Sequence, residues 1–186
     1  MAGMLRVPRS RGALSGALLV LLGVWGALVA FVGPYFHYAF TPDRAWAYTS
    51  GRFWLEIVPG VATILGGLIL LASANRAFAM FGAWIAALGG AWFVVGRVVG
   101  TLWAGFPQAG SPVGGTLMRA VEDIGFFTGL GVVIVFIAGL ALGRLAVVGA
   151  TEAAWAERDR EAAADREAEA ETEANIGQKV APSRSA

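Results

Sequence analysis

The chain contains no cysteine, one histidine and one lysine among its 186 residues. Without thiols it can form no disulfide, no thiolate nucleophile, and no cysteine-based zinc or haem-attachment motif. His37 alone cannot build a metal site unless carboxylates converge on it, and Asp43 and Glu56 are the conceivable partners; no metal and no cofactor is expected. Lys179 stands against thirteen arginines. With the heavy use of Ala, Gly and Val, that bias points to a GC-rich bacterial genome, which concerns codons and not function. Charge is also scarce, at 15% of residues, and the net charge is only +1. The charges segregate: Arg6, Arg9 and Arg11 make the N-terminus basic, while Glu152 to Glu173 carries nine acids against Arg158, Arg160 and Arg166. The near-zero total averages two opposite ends, and no nucleic-acid partner is expected from it.

What the chain has in excess is apolar residues. They make up 57% of it, with a mean hydropathy of +0.65, against roughly 45–50% in soluble domains. Nearly all fall between about Ala13 and Val148. A hydrocarbon core of about 30 Å needs about 20 apolar residues in helical form. Four segments qualify, at about 13–34, 54–73, 77–99 and 124–147. The expected fold is therefore all-α, an integral membrane four-helix bundle followed by a polar tail. Residues 1–12 form a basic N-terminus, 13–148 the transmembrane domain and 149–186 an acidic tail. The tail reads as a solvated helix over 151–174 that ends in a disordered stretch, since strong helix formers there lack an apolar stripe.

A basic start before the first segment fits a signal peptide. Its apolar run exceeds the usual ~7–15 residues, however, and no A-x-A site precedes a polar start, so an uncleaved helix is expected. Orientation follows arginine placement. Arg6, Arg9, Arg11, Arg76 and Arg144 lie on one side; Arg44, Arg52, Arg97 and Arg119 lie on the other. The unopposed N-terminal cluster decides the narrow margin, and both termini are expected in the cytoplasm of a multi-pass plasma-membrane protein. Ser73–Arg76 is then a tight turn on the inner side. The long connections, about 35–53 and 100–121, lie outside, with Trp46, Tyr48, Trp54 and Trp103 in an interfacial aromatic belt.

Two copies of a two-helix unit are suggested. Phe31-Val32-Gly33-Pro34 at the end of the first helix matches Val94-Val95-Gly96-Arg97 at the end of the third. Arg52-x-x-x-Glu56 enters the second helix as Arg119-x-x-x-Asp123 enters the fourth. Around Gly33-Pro34-Tyr35 and Trp92-Phe93-Val94-Val95-Gly96-Arg97 the chain resembles the SPW-repeat membrane proteins, whose two-helix unit carries Ser-Pro-Trp at the end of its first helix. Neither copy keeps the Ser or the Trp of that motif, and the second also lacks the Pro. The resemblance implies an architecture and no activity.

Ionisable residues near hydrocarbon are costly and often functional. Glu56, Arg97, Arg119, Glu122 and Asp123 all sit at the outer helix ends, where Glu56, Arg97, Arg119 and Asp123 can form a polar cluster. Arg52–Glu56 and Arg119–Asp123 also read as simple i,i+4 pairs at helix starts. Arg97 has no acid nearby in sequence, so it either snorkels to headgroups or turns to Glu56. Adjacent Glu122 and Asp123 point about 100° apart on a helix and do not readily share a proton; no catalytic residues and no enzyme activity are expected. Gly131, Gly139 and Gly143, with Val135 between, form a small-residue stripe for close helix packing. It serves either the bundle itself or a membrane-protein partner or second copy in the lipid bilayer.

The expected function is non-enzymatic: an accessory or scaffold subunit of the bacterial cell envelope, acting through helix packing or its tail. A small transporter or channel is the rival, and a continuous polar path through the bundle would favour it. The absence of cysteine makes the topology testable. Single cysteines at Ser10, Thr41, Ser111 and Ser183 are treated with a membrane-impermeant thiol reagent on intact cells. Labelling of positions 41 and 111 alone is expected, and labelling at 10 or 183 would reverse the orientation.

Overall fold

The computed structural model describes residues 10–180, and four of its helices are long and apolar enough to cross a membrane. The first, α1, spans Ser10–Val32 and closes with a 3-10 turn at Gly33–Phe36. Helix α2 runs as Ser50–Arg52, a π-helical turn Phe53–Ile57, and Val58–Ala72. Helix α3 is Arg76–Thr101. Helix α4 repeats the pattern of α2, with Thr116–Asp123, a π-turn Ile124–Thr128, and Gly129–Val180. Among the described residues no strand forms, only an isolated antiparallel bridge between Phe40 and Pro112.

Two helices start earlier than composition suggests. The Thr49 hydroxyl accepts the Arg52 N–H at 3.1 Å and caps α2, so the helix begins at Ser50 instead of near 54. Helix α4 begins at Thr116 instead of near 124. Its first two turns expose Leu117 and Val121 while burying Glu122, and that mixed character hides them from a hydropathy reading. The α2–α3 turn is tight, as expected: Ser73 Oγ donates to Asn75 O, and Asn75 Oδ1 caps Ala77 N–H.

The chain divides into two compact units, Met1–Leu145 and Ala146–Ala186. In the second unit the helix extends to Val180, so 175–180, expected to be disordered, is helical. No proline interrupts the chain between Pro112 and Pro182, and proline is the strongest helix breaker. The end of the expected disordered stretch, 181–186, lies outside the described residues.

Inside the first unit, helices meet glycine against glycine. A methyl on Gly16 would lie 2.8 Å from Gly67 O, and one on Gly67 would lie 2.8 Å from Gly16 O. The same reciprocal contact joins Gly23 to Gly60 in the α1–α2 seam, Gly66 to Gly82 between α2 and α3, and Gly90 to Gly131 between α3 and α4. In lipid no hydrophobic force drives helices together, so such backbone approach, with its Cα–H···O contacts, supplies the packing energy. The anticipated glycine stripe on α4 splits here. Gly131 is in the bundle, but Gly139 and Gly143 would meet nothing within 4 Å. Strict four-residue spacing drifts about 40° per step around a 3.6-residue helix. The buried line instead runs Gly131, Ile134, Ala138, Ala141, Leu145.

Contacts also correct the register of the internal repeat. Gly23, Trp25 and Gly33 of α1 correspond at one common spacing to Gly90, Trp92 and Gly100 of α3. In the second helices Gly60 corresponds to Gly131, and the π-turns starting at Phe53 and Ile124 coincide. The glycine pair Gly23–Gly60 thus maps onto Gly90–Gly131. Trp25 Nε1 donates to Gly125 O at 3.2 Å and Trp92 Nε1 to Trp54 O at 2.9 Å, in each case to the second residue of a π-turn. The sequence pattern had matched Gly33 to Gly96 and Arg52 to Arg119, one turn too early in both helices. Gly26 and the fully buried Phe93 are equivalent positions that touch, and a methyl on Gly26 would run into the Phe93 ring.

Replacing Gly66 with Leu should cost about 1–3 kcal/mol or prevent assembly, because the backbones must separate. Gly139→Leu should stay within about 0.5 kcal/mol. Thermal melts in detergent test the contrast, and equal losses would mean that the glycine contacts do not set the bundle.

Candidate functional site

Arg76 and Arg144 lie at one end of the bundle, while the buried charged residues, Arg52, Glu56 and Glu122, lie at the end that carries the two long connections. There the connections join edge to edge: Thr41 N–H donates to Ser111 O at 2.9 Å and Val113 N–H to Ala39 O at 3.1 Å. Phe40, fully buried between them, packs on Phe126 and Phe127 with ring centroids 4.8 and 5.3 Å away. His37, exposed, takes a left-handed backbone (φ 57°) to end the 3-10 turn, a conformation for which histidine is enriched. Trp46, Tyr48, Trp54 and Trp103 are all exposed at this same end.

Arg52 holds the first connection. It is completely buried; Nη1 donates to Ala47 O at 2.8 Å, and Nη2 to Phe40 O and Pro42 O at 2.9 Å each. A guanidinium with five donors suits a loop whose carbonyls have lost water. Nη1 and Nη2 go to the loop, Nε has no partner, and no bond is made to Glu56. The π-turn Phe53–Ile57 begins directly after Arg52 and contains Glu56, and its wider winding removes the i,i+4 alignment on which their expected pairing rested.

Glu56 lies in that π-turn with no exposed surface, and neither carboxylate oxygen has a hydrogen-bond partner. Arg52 and Arg97 are the cations whose charges bear on it. Arg97, however, makes an ion pair with Asp123, the sole salt bridge among the described residues. Its guanidinium also lies 5.3 Å from the centre of the Phe40 ring and 4.9 Å from that of Phe127, favourable cation–π placements. Neither snorkelling nor a bond to Glu56 is therefore its arrangement. Asp123 is available because α4 starts about two turns early, which places it inside a helix beside Arg97 instead of at a helix start with Arg119. Arg119 is exposed and donates from Nε to Gly114 O at 2.8 Å, apart from the cluster. The geometry thus brings together Glu56, Arg97 and Asp123 and leaves out Arg119.

Glu122 is the buried acid of the second π-turn's approach. Its Oε1 accepts the Ala39 N–H at 3.2 Å, and Oε2 has no partner. Glu122 and Asp123 are directed to different partners, one beneath the loop and one to Arg97, so they do not form a proton-sharing pair. Tyr38 links the same loop to α4 by donating to Val121 O at 3.0 Å, and Gly125 is needed because a methyl there would run into the Tyr38 hydroxyl. Arg52 as the loop anchor and Phe40 as the ring beneath Arg97 were not singled out from sequence. A lone arginine following a polar, proline-containing connection was the available sign.

No protein-family model, no curated protein and no solved structure matches the chain.

Burial, and after it the charge of Glu122, raises the Tyr38 phenol above its ordinary 10.0. The folded state then holds the phenolic proton more tightly than the unfolded chain does. The contribution of Tyr38 to stability is complete below about pH 10 and is lost as pH climbs through the raised value. Tyr38→Phe should flatten this alkaline decline while costing about 1 kcal/mol at neutral pH through the lost hydrogen bond. Tryptophan-fluorescence melts between pH 7 and 11 check both; an unchanged alkaline limb would show that Tyr38 does not govern it.

Proposed function

We propose that this protein is a non-enzymatic scaffold or accessory subunit of a bacterial cell envelope, working in the plasma membrane through helix packing. The observation that carries this reading is the close-packed apolar interior of the bundle. The buried polar or charged residues are Ser15, Arg52, Glu56, Thr63 and Glu122 among those described. Three of the five belong to the loop end. Between them and Ser15 stands only Thr63, whose hydroxyl is used within its own helix, donating to Pro59 O at 2.8 Å. A transport path needs polar groups along the whole depth of the membrane; here that depth is filled by glycine contacts and by Phe93, Ala83, Ala86 and Ile134. The outward Gly139 and Gly143 leave backbone open on α4 for a neighbouring transmembrane helix. The arginine distribution supports a cytoplasmic side for both termini, where the acidic tail would then act.

Purified protein in sealed liposomes should pass neither protons nor alkali cations faster than protein-free vesicles. In native membranes, Gly139→Leu together with Gly143→Leu should shift the protein to a smaller species on native gels while its melting temperature holds. Saturable flux, or an unchanged native size, would overturn the scaffold reading.

A further inference from the structure

Arg97 stands between the two π-turns. The residue before it, Gly96, lies against helix α2, where a methyl would come 3.1 Å from Leu55 Cδ2. Its own guanidinium lies against Phe127 in the π-turn of α4. The internal repeat makes Glu56 and Phe127 equivalent, each the fourth residue of its π-turn. One π-turn therefore forms with a phenyl ring at this place, and the turn itself does not require a carboxylate. Yet Glu56 is fully buried there with both oxygens unpartnered, an arrangement of high cost unless a donor can reach it. Of the two cations bearing on it, Arg52 has an unpartnered Nε, but its Nη1 and Nη2 are held by three loop carbonyls that keep the cap closed. Arg97 is committed only to Asp123, and both members of that pair are partly exposed, at 31% and 43% of their side-chain surfaces.

We propose that Arg97 is a two-position latch: paired with Asp123 it ties α3 to α4, and when the charge on Asp123 is neutralised it turns inward to Glu56 and ties α3 to α2. Asp123, the more exposed acid, is the member open to the surroundings, and Glu56 is the buried alternative acceptor. Phe40 and Phe127 flank the guanidinium and would keep it desolvated in either position. The exchange moves one ion pair from one two-helix unit to the junction between the units, directly under the joined connections. This latch is independent of whether the protein is a scaffold.

The test is a sign reversal, read on the full-length protein as melting temperature in detergent. In the wild-type background Glu56→Gln replaces a buried carboxyl group whose oxygens have no partner, and should leave the melting temperature unchanged or raise it. In the Asp123→Asn background Arg97 has moved to Glu56, and the same Glu56→Gln change should lower the melting temperature by roughly 2–4 °C. Adding Arg97→Gln to Asp123→Asn should abolish that loss. Asp123→Ser, which also removes the charge, replaces Asp123→Asn if that variant does not accumulate. A Glu56→Gln effect of the same sign and size in both backgrounds would overturn the latch, as would a loss that persists without Arg97.

Discussion

Backbone-to-backbone contact between glycines is the constraint on which the rest of the molecule depends. A helix pair in lipid gains nothing from excluding water along its length, so its stability comes from how closely the two backbones can approach. At Gly16–Gly67, Gly23–Gly60, Gly66–Gly82 and Gly90–Gly131, each residue occupies the space a partner side chain would need. Large residues are then confined to the places the glycines leave, of which the Phe93 ring over Gly26 is the clearest. Because helices this close leave little room between them, polar side chains are displaced to the end where the long connections open space.

The π-turns are the second consequence. Each ends three residues before a glycine that meets a neighbouring helix, Gly60 in α2 and Gly131 in α4. A π-turn frees backbone carbonyls from the ordinary i→i−4 ladder. The indoles of Trp25 and Trp92 satisfy one such carbonyl in each, reaching across from a helix of the other half of the repeat. These two bonds follow the same exchange of units as the glycine pairs, so packing and polar satisfaction obey one symmetry.

How much of this was legible in the sequence depends on the physical signal. Four apolar runs and the turn at Ser73–Arg76 report directly on hydrocarbon thickness and chain reversal, and the four spanning helices follow from them. Helix starts did not show, because Thr49 capping and the amphipathic Thr116–Asp123 turns lie in polar sequence. The repeat was visible as a pattern but one turn out of register: Gly33 can be matched with either Gly96 or Gly100 by letters, and the glycine pairs, π-turns and tryptophan–carbonyl bonds choose Gly100. For the cluster, Glu56, Arg97 and Asp123 were identifiable as charges near hydrocarbon. Which of them pair was not, because an i,i+4 rule presumes an unbroken α-helix and the π-turn at Phe53–Ile57 breaks it.

The two halves share one glycine pair and the π-turns, and at the loop end they differ in charge. Ala30 of α1 stands where α3 has Arg97, Arg52 where α4 has Asp123, Gly51 where it has Glu122, and Glu56 where it has Phe127. None of these charges is demanded by the helix geometry the halves share, since the other half forms the same turn without it. Arg52 is used to anchor a connection, and Glu122 to receive Ala39 N–H. Glu56 alone answers no local requirement, with both oxygens unmatched in the most costly place for a carboxylate. The repeat keeps one glycine pair, Gly23–Gly60 matched by Gly90–Gly131, and its two tryptophan–carbonyl bonds, while its charges differ at the loop end, and what sets this chain apart from a bare four-helix scaffold is to be sought there.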